Sequence, residues 1–201
     1  NAAFDMAALS DHGVVVCGTG YGFVNATVEL AWGLILSLAK LIPEEDRGVR
    51  GGDWGLHLPS GLTGKTLGVL GLGRLGSGVA RVAQAFDMNV IAWSENLTEA
   101  QCKGLDVTLV DKDALFTQSD VMSVHTILSE RTRGIVGARE FALMKRTALF
   151  INTSRGPIVD ETALLDALRR NVIAGAGLDV FDVEPLPNDH PLRNLPNTVL
   201  T

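Results

Sequence analysis

The amino-acid sequence predicts an α/β fold built on a doubly wound parallel sheet, from three observations. Short apolar runs typical of buried strands alternate with longer segments of helical periodicity along most of the 201 residues. A glycine-rich turn, "GLGRLG", joins one of these strands directly to a helix. Hydrophobic residues make up 46% of the chain, which is enough for a sizeable core and excludes intrinsic disorder.

The N-terminal part predicts one short strand and one long helix. The run Val14-Val15-Val16-Cys17 is typical of a short buried strand. Apolar residues then recur at helical spacing over residues 26–42, and Pro43 is expected to end that helix. Residues 43–65 are polar and rich in glycine, with a turn expected at residues 63–65.

From residue 66 onward, predicted strands and helices alternate. The strands span residues 66–70, 89–93, 107–109, 121–124, 148–151 and 174–180. The helices span residues 74–86, 98–103, 111–118, 138–144 and 160–170. This alternation is the pattern of βαβ units on a parallel sheet. The final "NTVLT" predicts a further strand, and because a domain rarely stops inside a strand, we expect the domain to be truncated at its C-terminus.

Composition argues against several classes of partner. The formal net charge of −6 disfavours nucleic acid and an anionic membrane. The two cysteines, Cys17 and Cys102, have no CxxC or Cys/His spacing, so we expect no disulfide framework and no metal site. A reducing, cytoplasmic compartment is the expectation that follows from this cysteine usage. The most apolar stretch, residues 30–39, is too short to span a bilayer.

The glycine-rich turn indicates dinucleotide binding. Gly71, Gly73 and Gly76 stand in GxGxxG register, after a predicted strand and at the start of a predicted helix. In such a Rossmann-type unit the first glycine permits a tight turn, the second lets the backbone approach a pyrophosphate, and the third lets the helix pack closely on the strand. The amide groups and positive dipole end of the helix N-terminus then favour the phosphate charge.

The choice between NAD and NADP depends on the end of the second strand of this unit, "VIAWSEN". An acidic residue about 20 positions after the glycines usually holds the ribose hydroxyls. Here that position falls on Ser94, with Glu95 beside it. A 2′-phosphate would call for a nearby Arg or Lys, and none follows until Lys103. NAD is therefore the expected cofactor, with NADP as the alternative.

Several motifs, in this order along the chain, resemble the D-isomer-specific 2-hydroxyacid dehydrogenase family. They are "TVELAWGLILSLAK" with Glu29, "LTGKTLGVLGLGRLG", "VHTILSERTRGIV", "NTSRGPIVDE", "GLDVFDVEPLP" and "DHPLRNLPNTVLT". The resemblance implies a cofactor domain inserted into a smaller, flavodoxin-like substrate domain that is built from both chain ends. By that resemblance, residues 1–22 are a remnant of the substrate domain and residues 23–201 are the dinucleotide-binding domain.

The resemblance also implies the residues of the site. Arg155 matches the family's catalytic arginine, whose guanidinium fork suits a substrate carboxylate and can polarise the adjacent carbonyl. Glu184 matches the catalytic glutamate, which supports a general-acid histidine expected beyond Thr201. Without the resemblance, Arg155 is equally a loop arginine in a surface salt bridge, and Glu184 a solvated loop acid. The implied cofactor-binding residues are Gly71, Gly73, Arg74, Leu75, Gly76, Ser94, Thr126, Thr153, Ser154 and Asp179.

Two functions from different classes fit these residues. The first is an oxidoreductase that reduces a 2-keto acid to the D-2-hydroxy acid with NAD(P)H. The second is a dinucleotide-binding interaction module, similar to the corepressors of this fold and without significant turnover. A homodimer is expected, because the helix over residues 26–42 is apolar on more than one face and carries Trp32, which is unusual on the surface of a monomer. Burial of that helix inside a single chain is the alternative.

Overall fold

The computed structural model of the chain describes residues 4–17, 24–55 and 57–201. Its central feature is a seven-stranded sheet with the order β3-β2-β1-β4-β5-β6-β7, in which every neighbouring pair is parallel. The first six strands have the 3-2-1-4-5-6 order of dinucleotide-binding sheets, in which the direction of winding reverses between the first and fourth strands. The predicted α/β, doubly wound architecture is therefore confirmed.

The strands and helices have the following bounds. The strands are β1 Thr66–Leu70, β2 Asn89–Trp93, β3 Thr108–Leu109, β4 Val121–Val124, β5 Leu149–Asn152, β6 Gly175–Leu178 and β7 Thr198–Leu200. The α-helices of the described part are α1 Met6–Asp11, α2 Val24–Lys40, α3 Ile42–Gly51, α4 Arg74–Ala85, α5 Glu99–Lys103, α6 Lys112–Gln118, α7 Ala138–Leu143 and α8 Glu161–Arg169. Two short 3₁₀ turns span Gly156–Ile158 and Pro191–Asn194.

Most elements lie where the sequence predicts them, and the small offsets have a physical cause. Strands β1, β2 and β4 match the predicted bounds residue for residue. Helices α5, α6 and α8 each begin one residue after the predicted start, because Thr98, Asp111 and Asp160 are their N-caps. Each of these side chains accepts a hydrogen bond from a backbone N–H of the first turn while its own backbone stays extended.

Two predictions for the N-terminal part are wrong. Residues 14–17 pair with no strand of the described residues and therefore form no strand. They are also exposed, and Val15 is 82% exposed. Residues 42–51 form a helix, α3, that the sequence analysis missed. Leu41 adopts a left-handed conformation with φ of 55°, which ends α2, and Pro43 then lies in the first turn of α3. Proline is well tolerated there because the first helical N–H groups have no intrahelical acceptor.

Helices cover both faces of the sheet, so its strands are buried on each side. On one face, α2 and α4 pack over a cluster that includes Leu34, Ile35 and Val79. On the other face, α6, α7 and α8 pack over a second cluster in which Phe141 and Phe150 meet edge to face, with ring centroids 5.2 Å apart. Burial on both faces explains why the strands are continuous apolar runs without alternation.

The apolar surface of α2 is buried inside its own chain. Trp32 is 5% exposed, stacks on Phe86 with ring centroids 5.0 Å apart, and donates a hydrogen bond from Nε1 to Val79 O at 3.2 Å. The alternative interpretation of this helix is therefore the one observed, and its apolarity does not itself indicate a subunit interface. Among the described residues no single helix could cross a membrane, although the bent pair of residues 25–40 and 42–51 meets the length and composition criteria together.

At the amino-terminal edge of the sheet, the half-buried carboxylate of Asp120 joins neighbouring strands. Asp120 accepts hydrogen bonds from Lys145 Nζ at Oδ1 and from Thr66 N–H at Oδ2, both at 2.9 Å. These contacts join the start of β1 to the start of β4. Burial alone would raise the pKa of the Asp120 carboxyl, but the hydrogen bonds from Lys145 and Thr66 outweigh burial, so the pKa lies below its ordinary value of 3.8.

We expect Asp120→Asn to lower the free energy of unfolding near neutral pH by about 1–3 kcal/mol. Because the folded-state pKa is depressed, the wild-type advantage is present above pH 3.8 and is lost as pH falls through the folded-state pKa. Urea denaturation of both proteins at neutral pH and at about pH 2.5 measures this difference. A difference in unfolding free energy between the two proteins that does not change with pH would contradict the stabilising role of the Asp120 carboxylate. Asp166→Asn is the matched control, since its ion pair with Arg170 is mostly exposed.

Candidate cofactor and substrate site

A cavity of about 550 Å³ opens at the carboxyl ends of β1, β2 and β4. It lies at the point where the strand order reverses, which is where open α/β sheets bind their ligands. Its wall comes from the glycine loop after β1, the segment after β2 and the loop after β4. Of the sequence-predicted cofactor residues, the cavity wall includes Gly71, Gly73, Ser94 and Thr126.

Each of the three glycines of the loop has a different structural role. Gly71 has a φ of 98°, and a Cβ there would lie 2.8 Å from Thr126 N, so the loop packs directly on the backbone after β4. A Cβ at Gly76 would collide with Gly71 O and lie 2.9 Å from the Val69 side chain, so α4 can approach β1 closely because Gly76 has no side chain. Gly73 is the N-cap of α4, and a Cβ there would meet nothing within 4 Å. The loop therefore leaves open space beside the N-terminus of α4.

The other predicted cofactor residues do not belong to the wall of this cavity. Arg74 and Leu75 are the first two residues of α4, directly after the glycine loop. Thr153 and Ser154 follow β5, and Asp179 follows β6. All three therefore lie at the same carboxyl edge of the sheet as the cavity.

Two side chains at this edge carry buried polar atoms without a partner among the described residues. They are His125 Nδ1 and Thr153 Oγ1. The other ring nitrogen of His125, Nε2, is 2.8 Å from Ser123 Oγ. Burial lowers the pKa of His125 to about 4, so the ring is neutral at physiological pH. A neutral ring cannot serve as the protonated general acid of a carbonyl reduction.

Arg155 is presented by a loop that Asn152 holds in shape. The Asn152 side chain accepts a hydrogen bond from Ser154 N–H and donates one to Arg155 O, both at 3.0 Å. Ser154 Oγ donates to Val124 O at 2.8 Å, which ties the loop to β4. Arg155 itself is exposed, and its Nη1 donates to Ser154 O at 2.6 Å. The "NTSRG" motif is therefore a self-bonded turn that presents a guanidinium at the carboxyl end of β5.

Glu184 lies on a second loop, after β6. Its Oε1 accepts a hydrogen bond from Phe181 N–H at 3.0 Å, which closes the loop on itself. Arg193 donates from Nε and Nη2 to Pro187 O and Leu186 O at 2.8 and 2.7 Å, and so secures the far side of the loop.

The loops of Arg155 and Glu184 are in direct contact. A Cβ at Gly156 would collide with the backbone of Phe181 and Asp182, so the absence of a side chain is what lets the two loops touch. His190, farther along the chain, places Nε2 3.0 Å from Oε1 of Glu161, the first residue of α8, and its Nδ1 accepts from Leu192 N–H at 3.3 Å. Both ring nitrogens of His190 are therefore used for structure.

One charged residue at the cavity was missed altogether. Arg131, on the loop after β4, places Nη1 3.1 Å from Glu95 Oε2, on the segment after β2. Along the chain, the first basic residue after Ser94 is Lys103, whereas Arg131 reaches the cavity from the loop after β4. A sequence signal existed in "SERTRG", but its meaning depends on the strand order.

Comparison with known proteins agrees with this geometry. The family model of the D-isomer specific 2-hydroxyacid dehydrogenase, NAD binding domain, matches residues 32–201. Glyoxylate reductase from Aeropyrum pernix is 42% identical over 98% of this chain, and 61% of its own length is covered. D-3-phosphoglycerate dehydrogenase from Archaeoglobus fulgidus is 40% identical over 98% of this chain, with 38% of its length covered. The chain thus spans 61% or less of the length of these two relatives.

Solved structures give the same result. Phosphoglycerate oxidoreductase from Vibrio cholerae superposes with a TM-score of 0.91 at 35% identity, over 98% of this chain and 64% of that one. D-lactate dehydrogenase with NAD+ from Lactobacillus jensenii superposes with a TM-score of 0.84 at 28% identity, over all of this chain and 65% of that one. The match to the family model covers most of the chain, and with the glycine loop and the strand order it places this protein in the D-isomer-specific 2-hydroxyacid dehydrogenase family, as its NAD-binding domain.

Proposed function

We propose that this chain is the cofactor-binding part of an oxidoreductase that reduces a 2-keto acid to the D-2-hydroxy acid with NADH. The observation that carries the proposal is the placement of a dinucleotide-type glycine loop and an exposed arginine, Arg155, at one edge of one sheet. The relatives named above are reductases and dehydrogenases of such acids, which supports this reaction class. They give no support to the alternative of a corepressor-like module. By the same resemblance, residues 1–22 belong to a substrate domain and residues 23–201 to the cofactor domain.

The residues present fit a dinucleotide. The open space beside Gly73 and the N-terminal amides of α4 suit a diphosphate, since a side chain at Gly73 would enter that space. Ser94 and Glu95 would hold the adenosine ribose, and Thr126, Thr153, Ser154 and Asp179 would line the path toward the nicotinamide. When bound, the nicotinamide supplies the hydride.

Arg155 would bind and orient the substrate. A guanidinium donates parallel hydrogen bonds to a carboxylate, and a 2-keto acid carries a carboxylate next to the carbonyl that is reduced. Holding the carboxylate fixes the position of the adjacent carbonyl, and the positive charge favours the negative charge that develops on its oxygen. Because the loop is tied to β4 and β5, this placement needs little reorganisation during the reaction.

Glu184 would support the group that protonates the carbonyl oxygen. In the family that group is a histidine, which we expect beyond Thr201. The four histidines of this chain are otherwise engaged: His125 is buried and neutral, and His190 uses both ring nitrogens. His12 contacts Ala8 O and His57 contacts Glu45. This supports the assignment of proton transfer to a residue outside the 201 present here.

We also propose that the protein is a homodimer, with α3 and the segment after it at the interface rather than α2. Among the described residues of this short stretch, four large apolar side chains are each more than half exposed: Ile42, Val49, Trp54 and Leu58. Clustered exposed apolar residues are typical of protein interfaces, whereas isolated ones are ordinary.

Cofactor binding is tested by Gly73→Ala. Its φ of −81° is accessible to alanine and the new methyl group would meet nothing within 4 Å, so we expect the melting temperature to change little. The methyl group would occupy the space proposed for the diphosphate, so NADH affinity should fall roughly tenfold or more. Fluorescence titration with NADH measures this in the chain itself. Gly33→Ala, at another open glycine, is the control, and unchanged NADH affinity in Gly73→Ala would remove the diphosphate from this loop.

The reaction class is tested with the full-length protein on a panel of 2-keto acids with NADH and NADPH. Arg155→Lys keeps the charge but loses the planar fork, so we expect KM to rise, kcat to fall, and kcat/KM to drop roughly a hundredfold. Arg169→Ala, at an exposed position in the last turn of α8, should leave both constants unchanged. The absence of turnover on every keto acid would count against the proposed function, and wild-type kinetics in Arg155→Lys would remove Arg155 from the site.

Assembly is tested by sedimentation velocity at micromolar concentration. We expect a dimer that dissociates in the double variant Trp54→Ser/Leu58→Ser, because two large apolar side chains are then lost from each copy. Val15→Ser, at another highly exposed apolar residue outside the proposed surface, is the control. A wild-type monomer would contradict the dimer, and a dimer unaffected by the double variant would place the interface elsewhere.

A further inference from the structure

We propose that Arg131 and Glu95 act as a charge-balanced pair that sets the choice between NADH and NADPH, with Arg131 as the cation that receives a 2′-phosphate. The proposal rests on the proposed function only in that the chain must bind a dinucleotide. It needs neither the substrate nor turnover, so it stands or falls separately from the reaction.

The pair lies where the cavity would hold the adenosine ribose, whose 2′ substituent is the group that differs between NADH and NADPH. Glu95 follows β2, and Arg131 lies on the loop after β4, so the pair links the segments that flank the end of β1 on either side. Both residues belong to the cavity wall, as does Ser94 at the position expected to face the ribose. The contact joins Glu95 Oε2 to Arg131 Nη1 at 3.1 Å.

Each member of the pair favours a different cofactor. The adenosine ribose of NADH presents hydroxyl donors, which a carboxylate such as Glu95 accepts. The 2′-phosphate of NADPH presents a charge of about −1.5 to −2, which Glu95 repels and a guanidinium binds. With both charges present, attraction and repulsion at this position largely cancel. The wild-type chain should therefore discriminate only weakly, with dissociation constants for NADH and NADPH within about tenfold of each other.

The contact between Arg131 and Glu95 can break so that Arg131 binds a phosphate instead. The side chains are 72% and 60% exposed, so solvent weakens their mutual attraction and little is lost when Arg131 turns to a new partner. Arg74 is a further cation beside the glycine loop, but it is the first residue of α4, where the diphosphate that both cofactors share would bind. Discrimination is therefore assigned to Arg131, and a contribution from Arg74 should affect both cofactors alike.

The test measures NADH and NADPH affinities of the 201-residue chain by fluorescence titration, without substrate. Glu95→Gln should shift the affinity ratio roughly tenfold toward NADPH, because the repulsion is lost while the amide oxygen still accepts from a hydroxyl. Arg131→Gln should shift the ratio roughly tenfold toward NADH. If charge balance sets the ratio, the double variant should return to within about threefold of wild type. Raising the salt concentration should shrink both single-variant shifts.

Two matched controls remove the same charges at nearby positions outside the cavity wall. Glu99→Gln changes an exposed acid on α5, and Arg133→Gln changes an exposed arginine two residues along the same loop. Neither should move the affinity ratio by more than about twofold. A control that shifts the ratio as much as the test variants would show that net charge, not the pair, sets the choice.

Several results would overturn the proposal. A wild-type preference of more than about a hundredfold for either cofactor would contradict a balanced pair. Equal loss of NADH and NADPH affinity in Arg131→Gln would show that Arg131 contacts a group that both cofactors have. An Arg74→Gln variant that loses NADPH selectively, while Arg131→Gln does not, would assign the 2′-phosphate to Arg74 instead. A chain that binds neither cofactor would refute both this proposal and the assigned cofactor site.

Discussion

The arrangement of the site depends on close contact between backbone segments at three glycines. At Gly71 the loop after β1 packs on the backbone after β4, and at Gly76 the helix α4 packs on the loop itself. At Gly156 the loop of Arg155 packs on the backbone of Phe181 and Asp182. A methyl group at any of these positions would lie closer to its neighbours than side-chain atoms do in real structures. The strand order brings these segments to one edge of the sheet. How closely they approach one another depends on glycine, which has no side chain, at these three positions.

Several polar side chains near the same edge of the sheet make structural hydrogen bonds. The side-chain amide of Asn152 uses both its N–H donor and its oxygen to hold the turn that presents Arg155. His190 contacts Glu161 at the start of α8, and Arg193 donates to the backbone of the loop that carries Glu184. Asn152 is buried, and His190 and Glu161 are half-buried, so these side chains need hydrogen-bond partners within the protein. The exposed Arg155 side chain makes one hydrogen bond to the described residues, from Nη1 to Ser154 O, and is the better candidate for contact with a substrate.

Much of the fold could be predicted from the sequence because the signals are local. Buried parallel strands are short apolar runs, and an N-cap such as Asp111 or Asp160 is recognisable by residue type. The failures were also local in origin. The residues of the run from Val14 have strand propensity, but a strand needs a neighbour to pair with, and none of the described strands provides one. Pro43 is typical of a helix end but is equally favourable in the first turn of a helix, and the left-handed conformation of Leu41 decides between the two.

The site was predictable to the extent that each role belongs to one stretch of chain. The glycine loop is contiguous, so its position between β1 and α4 could be predicted from the sequence. The pairing of Glu95 with Arg131 could not, because these residues are 36 positions apart in sequence (131 − 95) and meet because β2 and β4 are both neighbours of β1. The contact between Gly156 and Phe181 likewise depends on the adjacency of β5 and β6. Residues that bind one ligand from several strand ends are therefore identified only after the strand order is known, and this applies most strongly to charges, whose effect on a ligand depends on every neighbour within reach.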